Sequence, residues 1–474
     1  MFKTKKNEFK FEVIFKITYF VLVLLSFNTY FARRTYLSYI SYAVAIFGAL
    51  IIINRLTHIK DYINKYTIVL ICFVFSYMLS SIINRKYGII ENIQAITWMT
   101  IQYFILFSMD ISRDNKMAKK EIDIISYVFI GYTAICSIIG FVMLVLNYYY
   151  YKVVNGETII GGFLWNRLWG IYTDPNYGAV FAVVSIFLSL YYIRRNVKKP
   201  FKTFLIINLI FEFLYISYSD SRTGMVSFLC SIVLFVFMKL FRDEKIQIKD
   251  KQFNFKGLKK IFVCSICSLL IAMVFVGAKE LTLKVTGEIK LLNITNTQEY
   301  KRSSKEEKEA LNKMHKIGRS EEDINNGDYS NKRFSIWSSA FEVFKTSPLT
   351  GTSYRNITEY SKDVVPNTYI AQEETAFQSM HNFIIDIMIS QGTIGLLIIF
   401  IFIVILIKDL LTKIKFIRDE EYVLFTYLFT CIIAIMVSGM FYSEIFYMNT
   451  GGSFIFWSFL GYLTNNLINL KDKE

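Results

Sequence analysis

Cysteine is scarce in this chain and is poorly placed for cross-linking or for holding a metal. The 474 residues include six cysteines, and every one falls inside an apolar run: Cys72, Cys136, Cys230, Cys264, Cys267 and Cys431. A disulfide framework or an exposed cysteine metal site needs these residues in loops, so neither is predicted. The C-x-x-C pair at 264 and 267 is interpreted as small apolar packing residues.

Polar sequence is also limited, which excludes a soluble protein of this size. The hydrophobic content is 54%, aromatic residues make up 17%, and the mean hydropathy is +0.39. Crossing a bilayer takes about 20 mostly apolar residues. About twelve runs qualify: 14–32, 36–53, 66–84, 89–109, 122–149, 176–193, 203–218, 223–240, 260–277, 382–407, 421–442 and 450–468.

The predicted fold class is therefore an all-α polytopic membrane protein with about twelve transmembrane helices. Spans one to nine occupy 1–277, one large extracytoplasmic loop occupies 278–380, and spans ten to twelve occupy 381–474. The first 27 residues resemble a secretory signal but lack an A-x-A-like cleavage site, so they are expected to form an uncleaved first span. No fixed-period repeat is visible, which disfavours a transporter built from duplicated halves.

The distribution of basic residues predicts the orientation. The formal net charge is +15, and 31 Lys and Arg lie in segments on one side of the predicted spans against 7 in the short loops opposite. Positive loops stay in the cytoplasm, so both termini are predicted there. The loop 278–380 holds 15 basic and 15 acidic residues. The charge thus reflects topology, and no nucleic acid partner is expected.

Histidine is the scarcest of the chemically versatile residues, and one of the three heads an apolar run. In "HNFIIDIMISQGTIGLLIIF", a helical count places Gly392 and Gly395 within about 40° of His381. One stripe would carry the imidazole and small residues that admit a neighbouring helix. The alternative is a histidine wetted by lipid headgroups, with glycines that serve packing alone. Asp386 would lie about 140° round the helix, so no direct bond to the imidazole is expected. His315, in a charged stretch, is interpreted as solvent-facing.

Two other outer segments carry polar residues between apolar runs. Asp174, Pro175 and Asn176 follow "NGETIIGGFLWNRLWGIYT", which is either a re-entrant or interfacial piece lining a pocket, or an external loop that caps the sixth helix. Arg222 lies in the short turn "YSDSRTG". A guanidinium held there can bind a phosphate through paired hydrogen bonds, whereas the alternative is snorkelling to headgroups.

The large outer loop changes character near residue 333. Residues 279–331 are polar, whereas "RFSIWSSAFEVFKT" predicts an amphipathic helix closed by Pro348 and Gly351. This helix is expected to pack on the membrane domain and to bring Arg333 toward the outer surface. Its predicted apolar face comprises Phe334, Trp337, Ala340, Phe341 and Phe344.

The spacing of His381, Asn382, Gly392 and Gly395 resembles the signature H-[NSQ]-x9-G-x-x-G of the bacterial O-antigen ligase and polysaccharide polymerase family. The stretches "DPNYGA", "SDSRTG" and "RFSIW…SPLTG" are similar to degenerate elements of its members. The resemblance implies a glycosyltransferase of the GT-C type. Its members move glycan from an undecaprenyl-diphosphate carrier to a hydroxyl at the outer face of the cytoplasmic membrane, without a metal or a nucleotide sugar.

Carried over by position, the resemblance implies roles for three residues. His381 is similar to the catalytic histidine, Arg222 to the membrane-boundary arginine and Arg333 to the loop arginine, with Arg355 and Arg319 as competitors for the last. A neutral imidazole can take the acceptor's proton, and an imidazolium can stabilise the diphosphate. Further residues predicted to contact substrate are Asp174, Asn176, Asp220, Asn382 and Arg355.

No cofactor is expected. The first outer loop, "FARRTYLS", has no acidic residue, and Asp363, Glu373 and Glu374 do not form a dedicated acidic cluster. The predicted partners are the lipid-linked oligosaccharide and the bilayer, with a chain-length regulator and a flippase as further candidates. The alternative functions are ligation of glycan to lipid A or another acceptor, and non-enzymatic transport of the same lipid-linked glycan.

Overall fold

The computed structural model describes residues 5–111, 113–195, 197–242, 255–295, 304–305, 332–372, 379–442 and 445–470. Its helices run as follows: α1 Lys5–Ser26, α2 Thr35–Leu56, α3 Lys65–Ile83, α4 Ile90–Ile101, α5 Asn115–Val145, α6 Pro175–Arg194, α7 Lys199–Ser219, α8 Arg222–Arg242, α9 Phe255–Thr295, α10 Arg333–Thr346, α11 Ile357–Val364, α12 Tyr369–Gln372, α13 Phe383–Lys413, α14 Asp419–Ser438 and α15 Gly451–Asn469.

The predicted all-α polytopic architecture is confirmed. Each of the twelve predicted apolar runs coincides with one of α1–α9 or α13–α15, and α4 continues through a π-helical segment, Gln102–Phe107. Within the described ranges, nine helices are long and apolar enough to cross a membrane. Helix α9 differs from expectation because it continues from the predicted end at 277 to Thr295. The residues after 277 mix charged and apolar side chains, so the end of the continuous apolar run does not mark the end of the helix.

Between α5 and α6 the chain folds into a small antiparallel sheet that the all-α prediction omitted. Its strands are β1 Tyr149–Val154, β2 Glu157–Leu164 and β3 Arg167–Gly170, in the order β1-β2-β3. The turn Asn155-Gly156 has positive φ at both residues, as a two-residue hairpin requires. Strand β3 packs on α5 and α7, so this segment is a folded platform and not an irregular loop.

The opposite end of the bundle contains a buried network of charges that joins α1, α2 and α5. Glu12 accepts a hydrogen bond from Arg55 Nε at 2.8 Å and also pairs with Arg113. Glu121 accepts from Lys16 Nζ at 2.5 Å and from Arg113 Nη1 at 2.9 Å. None of the five side chains is more than 9% exposed. Such a network holds the three helices in one arrangement because each buried charge needs its partner.

Helix α13 is broken at Gly392, where φ is +63° and ψ is −158°. The backbone N–H of Thr393, freed by the break, donates to Pro348 O at 2.8 Å. On the other side of the break, Thr352 N donates to Ile389 O at 2.8 Å. The segment 348–353 therefore enters the break and satisfies polar groups that a membrane would otherwise leave unpaired.

The predicted stripe of His381, Gly392 and Gly395 is wrong, because its residues do not share one regular helix. Helix α13 begins at Phe383, after His381, and the break at Gly392 interrupts the helical count. A Cβ on Gly392 would lie 2.3 Å from the carbonyl oxygen of Leu349, so this glycine admits a loop and not a helix. Gly395 lies against Gln391 of its own helix.

Candidate functional site

The backbone just before α13 holds His381 in an unusual conformation. Its φ is +53°, in the left-handed region that costs a non-glycine residue of order 1 kcal/mol. Three contacts oppose that cost: Asp386 Oδ1 accepts from Met380 N at 2.7 Å, Ser379 Oγ accepts from His381 N at 3.1 Å, and Asn382 Oδ1 accepts from Ile384 N at 2.9 Å. Asp386 thus acts on the backbone beside the histidine, and Asn382 is the N-cap of α13.

Helix α10 brings Arg333 and Trp337 to this segment. The indole N–H of Trp337 donates to Met380 O at 2.9 Å. The half-buried Arg333 donates from Nη2 to Phe441 O at 3.2 Å, and its guanidinium lies 5.7 Å from the centroid of that phenyl ring. The expected packing of this helix on the membrane domain is confirmed by its contact with α13.

The buried face of α10 differs from the predicted one. Ile336, Ala340 and Val343 are buried, whereas Phe334 is 70% and Phe341 52% exposed. The predicted helical spacing was correct, but the aromatic side chains were assigned to the buried face only because they are apolar. Two of them face outward because the smaller residues allow the closer approach to α13.

The connection between α14 and α15 supplies a further neighbour that the sequence analysis missed. The ring of Tyr442 lies 6.0 Å from that of His381, centroid to centroid, with an interplanar angle of 55°. In the same connection, Gly439 O accepts a hydrogen bond from Phe383 N at 3.0 Å. The only signal in the sequence was a cluster of aromatic residues between two predicted spans.

The first turns of α6 and α8 form a second wall of the candidate site, opposite the wall formed by α10, the start of α13 and Tyr442. Asp174 accepts from Asn176 N at 2.6 Å and from Tyr177 N at 3.3 Å, which confirms the predicted cap of the sixth helix. Asn176 Oδ1 accepts from Ser221 Oγ at 2.8 Å and from Arg167 Nη2 at 3.1 Å. These bonds tie the first turn of α6 to the turn before α8.

Two further cations in this wall were not identified from the sequence. Arg167, on β3, donates from Nε to Ser219 O at 2.8 Å. Lys279, on α9, is 7% exposed and lies 3.2 Å from Asp220 Oδ1. Asp220 has φ +45° in the sharp turn between α7 and α8, and Arg222 is the exposed first residue of α8. The predicted outer arginine is therefore accompanied by Arg167 and by a lysine paired with Asp220.

Electrostatic interactions connect the two walls. Burial and the positive charge of Arg333 lower the pKa of His381, while Asp174 opposes them. Burial also lowers the pKa of Arg333; Asp174 raises it and Arg222 lowers it. Charges influence one another over distances on the order of 10 Å. The structure thus brings together His381, Arg333, Arg222, Asp174 and Tyr442, which we call the cationic cluster.

Arg355 has a different setting. Its backbone N–H donates to Asn92 Oδ1 on α4 at 3.3 Å, and its exposed guanidinium lies 5.6 Å from the ring centroid of Tyr354. Of the two competing loop arginines that the structure describes, Arg333 is the one whose charge lowers the pKa of His381. Arg319, His315, Glu373 and Glu374 lie outside the described residues.

The described part of the chain contains no group of three or more His, Cys, Asp or Glu side chains arranged to hold a metal ion. The expectation of metal-independent chemistry stays a prediction. Within the cationic cluster, the guanidinium groups can instead bind a doubly charged leaving group, and the imidazole can exchange a proton.

Fold and site together define a multi-pass helical membrane protein with a partly buried histidine among arginines at one end of the bundle. A family model described as O-antigen ligase matches residues 207–400. This match confirms the predicted resemblance and supports an O-antigen ligase/polymerase-like family. It covers Arg222, Arg333, His381 and the broken helix, but not Asp174 or Tyr442. No curated protein matches the chain.

Proposed function

We propose that this protein is a glycosyltransferase that polymerises oligosaccharide repeat units carried on undecaprenyl diphosphate, at the outer face of the cytoplasmic membrane. The family match supports a membrane enzyme in O-antigen assembly. The observation that carries the finer proposal is that Arg333 and His381 meet at one connection: Arg333 donates to Phe441 O at 3.2 Å, and the ring of His381 lies 6.0 Å from that of the next residue, Tyr442. The charge of Arg222 acts on Arg333 at the same place. These residues come from three segments far apart in the chain, so their meeting requires the whole fold.

The cluster suits transfer from a lipid diphosphate. An acceptor hydroxyl attacks the anomeric carbon while the bond to the diphosphate breaks, and the electron pair of that bond leaves with the diphosphate. Arg222 and Arg333 stabilise the growing negative charge, as fixed positive groups aimed at a leaving group do. His381 takes the proton of the acceptor hydroxyl.

The base role of His381 is favoured over the imidazolium role. Burial and Arg333 lower the pKa of His381, so the ring is neutral near pH 7, where an unperturbed imidazole with a pKa of about 6.5 is partly protonated. A neutral ring accepts a proton, whereas binding the diphosphate through charge would need the protonated form.

The ends of three helices support an outward-facing site. Helices α6, α8 and α13 begin at the cationic cluster and end at Arg194, Arg242 and Lys413. A 20-residue helix is about 30 Å long, which matches the hydrocarbon core. Because basic loops stay in the cytoplasm, the cluster belongs at the opposite membrane face.

Transfer can be tested with purified protein and a carrier-linked repeat unit, with and without chelator. His381→Ala should reduce chain extension by about 10²- to 10⁴-fold and leave single lipid-linked units. His58→Ala is the matched control, because His58 is exposed and lies just after the C-terminal end of α2, at the end of the bundle that contains the buried charge network. Continued long-chain product in His381→Ala would rule out catalysis by this histidine and would favour a transporter.

A ligase is the second candidate, favoured by the description of the matching family model. The two activities differ in what accumulates in cells that lack the protein. Loss of a polymerase leaves acceptors that carry one repeat, whereas loss of a ligase leaves long chains on the lipid carrier. Gel analysis of the acceptor and carrier fractions separates the two.

A further inference from the structure

A second feature of the outer surface lies beside the cationic cluster. It is a groove of about 510 Å³, which we call the α10 groove. One wall is a single face of α10, and the other is residues 367–369. The side chains that decide its chemistry are Phe334, Ser335, Ser338, Glu342, Asn367 and Tyr369.

The groove combines aromatic surface with hydrogen-bonding groups. Phe334 is 70% exposed although it is large and apolar. It stands among two serine hydroxyls, an amide and a carboxylate. Glu342 pairs with Lys345 at 2.7 Å, but both side chains are at least half exposed, so the carboxylate is only weakly held by this pair.

This combination fits a sugar ring better than a lipid tail. A pyranose presents an apolar C–H face that stacks on an aromatic ring, and hydroxyls at its rim that both donate and accept hydrogen bonds. Serine and asparagine side chains offer both functions, and a carboxylate accepts. A lipid tail would leave these polar groups unpaired. Charges of both signs border the groove, since Glu342 pairs with Lys345 and Lys332 Nζ lies 5.6 Å from the ring centroid of Tyr369.

Residues of the α10 groove adjoin residues of the cationic cluster. Phe334 follows Arg333 in the chain, and its ring meets Trp337 edge-on at 5.8 Å. Trp337 in turn donates to Met380 O, next to His381. A glycan whose anomeric carbon lies at the histidine can therefore place later sugar residues along α10.

We propose that the α10 groove binds sugar residues of the lipid-linked oligosaccharide or of the growing glycan, at a distance from the reacting carbon. The proposal rests on the proposed glycosyltransferase function. It concerns recognition of the glycan chain and not the chemical step. It therefore predicts binding of oligosaccharides that carry no diphosphate.

The test uses full-length protein in lipid nanodiscs. The probe is a set of oligosaccharides of one to four repeats, released by mild acid from the surface polysaccharide of the producing strain. Saturation-transfer NMR should detect binding to the wild type. Phe334→Ala should weaken it about fivefold or more, as expected for loss of one aromatic contact. Phe341→Ala, on the same helix, 52% exposed and outside the groove, should leave it unchanged.

The outcomes separate this proposal from the catalytic one. His381→Ala should still bind the oligosaccharides. If this variant still transfers glycan as the wild type does, the catalytic proposal is overturned and the groove proposal is not. Equal binding by the wild type and Phe334→Ala, or equal losses for Phe334→Ala and Phe341→Ala, would overturn the groove proposal. In transfer assays, Phe334→Ala should raise KM for the lipid-linked repeat about fivefold, with kcat retained. Lower kcat at unchanged KM would contradict the proposal.

Discussion

Trp337 donates its indole N–H to the carbonyl oxygen of Met380, 2.9 Å away. This bond links a helix of the loop between α9 and α13 to the residue that precedes His381. The loop helix thereby has two roles, because its first residue, Arg333, also acts electrostatically on the same histidine. Loop and membrane helices must dock before the cationic cluster exists.

Replacing Trp337 with Phe should impair the site without removing any group that touches substrate. The buried carbonyl of Met380 would lose its partner, and leaving such a group unpaired costs about 1–3 kcal/mol. If His381 moves away from Arg333 as a result, its pKa rises toward 6.5 and the acid limb of kcat moves to higher pH. The measurement is kcat against pH, with Trp165→Phe in the exposed sheet turn as control. Reduced thermal stability with an unshifted pH profile would mean a structural role only.

The pH profile also distinguishes the two roles of His381. A base must be neutral, so the acid limb of kcat should lie at lower pH than the ordinary imidazole pKa of about 6.5 would give, because burial and Arg333 lower the pKa of His381. Arg333→Gln removes one charge that lowers the pKa of His381, so it should move the acid limb of kcat to higher pH. Asp174→Asn removes the charge that raises the pKa of His381 and keeps a good N-cap. It should therefore move the acid limb of kcat to lower pH. Activity that increases as the pH falls would instead support an imidazolium that binds the diphosphate.

Much of this architecture could be predicted because the bilayer imposes strict requirements. Helix ends such as Pro175 and Phe383 follow from the length of apolar runs, whereas the orientation inferred from the basic loops stays a prediction. The hairpin was also readable in principle, since Asn155-Gly156 between two runs rich in aromatic and β-branched residues is a strong turn signal. It was missed because the surrounding segment was assigned as irregular loop.

Other features depend on contacts between distant residues and have no local pattern. A glycine in an apolar run is compatible with a straight helix, so the break at Gly392 is visible only once residues 348–353 approach it. Tyr442 and Arg167 reach the candidate site from a loop and a strand with no periodicity to mark them. Asp386 was judged only against the imidazole, whereas its partner is the backbone of Met380.

Arg167 on β3 bonds to the last residue of α7 and to the first turn of α6. Its loss should therefore affect substrate binding. Neither Lys nor Gln can keep bonds to both Ser219 O and Asn176 Oδ1, since only the guanidinium presents donors in a fixed fork. Arg167→Lys should therefore raise KM for the lipid-linked repeat about tenfold, with a smaller change in kcat. Lys152→Gln on β1 is the control. A variant with unchanged KM would show that the fork is dispensable for substrate binding.

The buried network at the opposite end should govern stability and leave the chemistry alone. Glu12→Gln removes the charge between Arg55 and Arg113, and breaking a buried ion pair costs about 3–5 kcal/mol. Thermal unfolding in detergent should therefore shift strongly down. Arg418→Gln, in a pair whose arginine side chain is 78% exposed, should change stability by less than about 1 kcal/mol. Transfer activity per folded molecule should be unchanged in both variants, and a lower activity in Glu12→Gln would reveal coupling between the two ends.

The break in α13 provides the last test, because it should tolerate no side chain. Gly392→Ala places a Cβ 2.3 Å from Leu349 O at a residue whose φ is +63°. The backbone strain and the displacement of segment 348–353 should together cost about 2 kcal/mol or more. Gly131→Ala in α5 is the matched control: its added Cβ meets no atom within 4 Å, and alanine favours helix. If both variants unfold at the same temperature in detergent, α13 is continuous through Gly392, and segment 348–353 does not enter it.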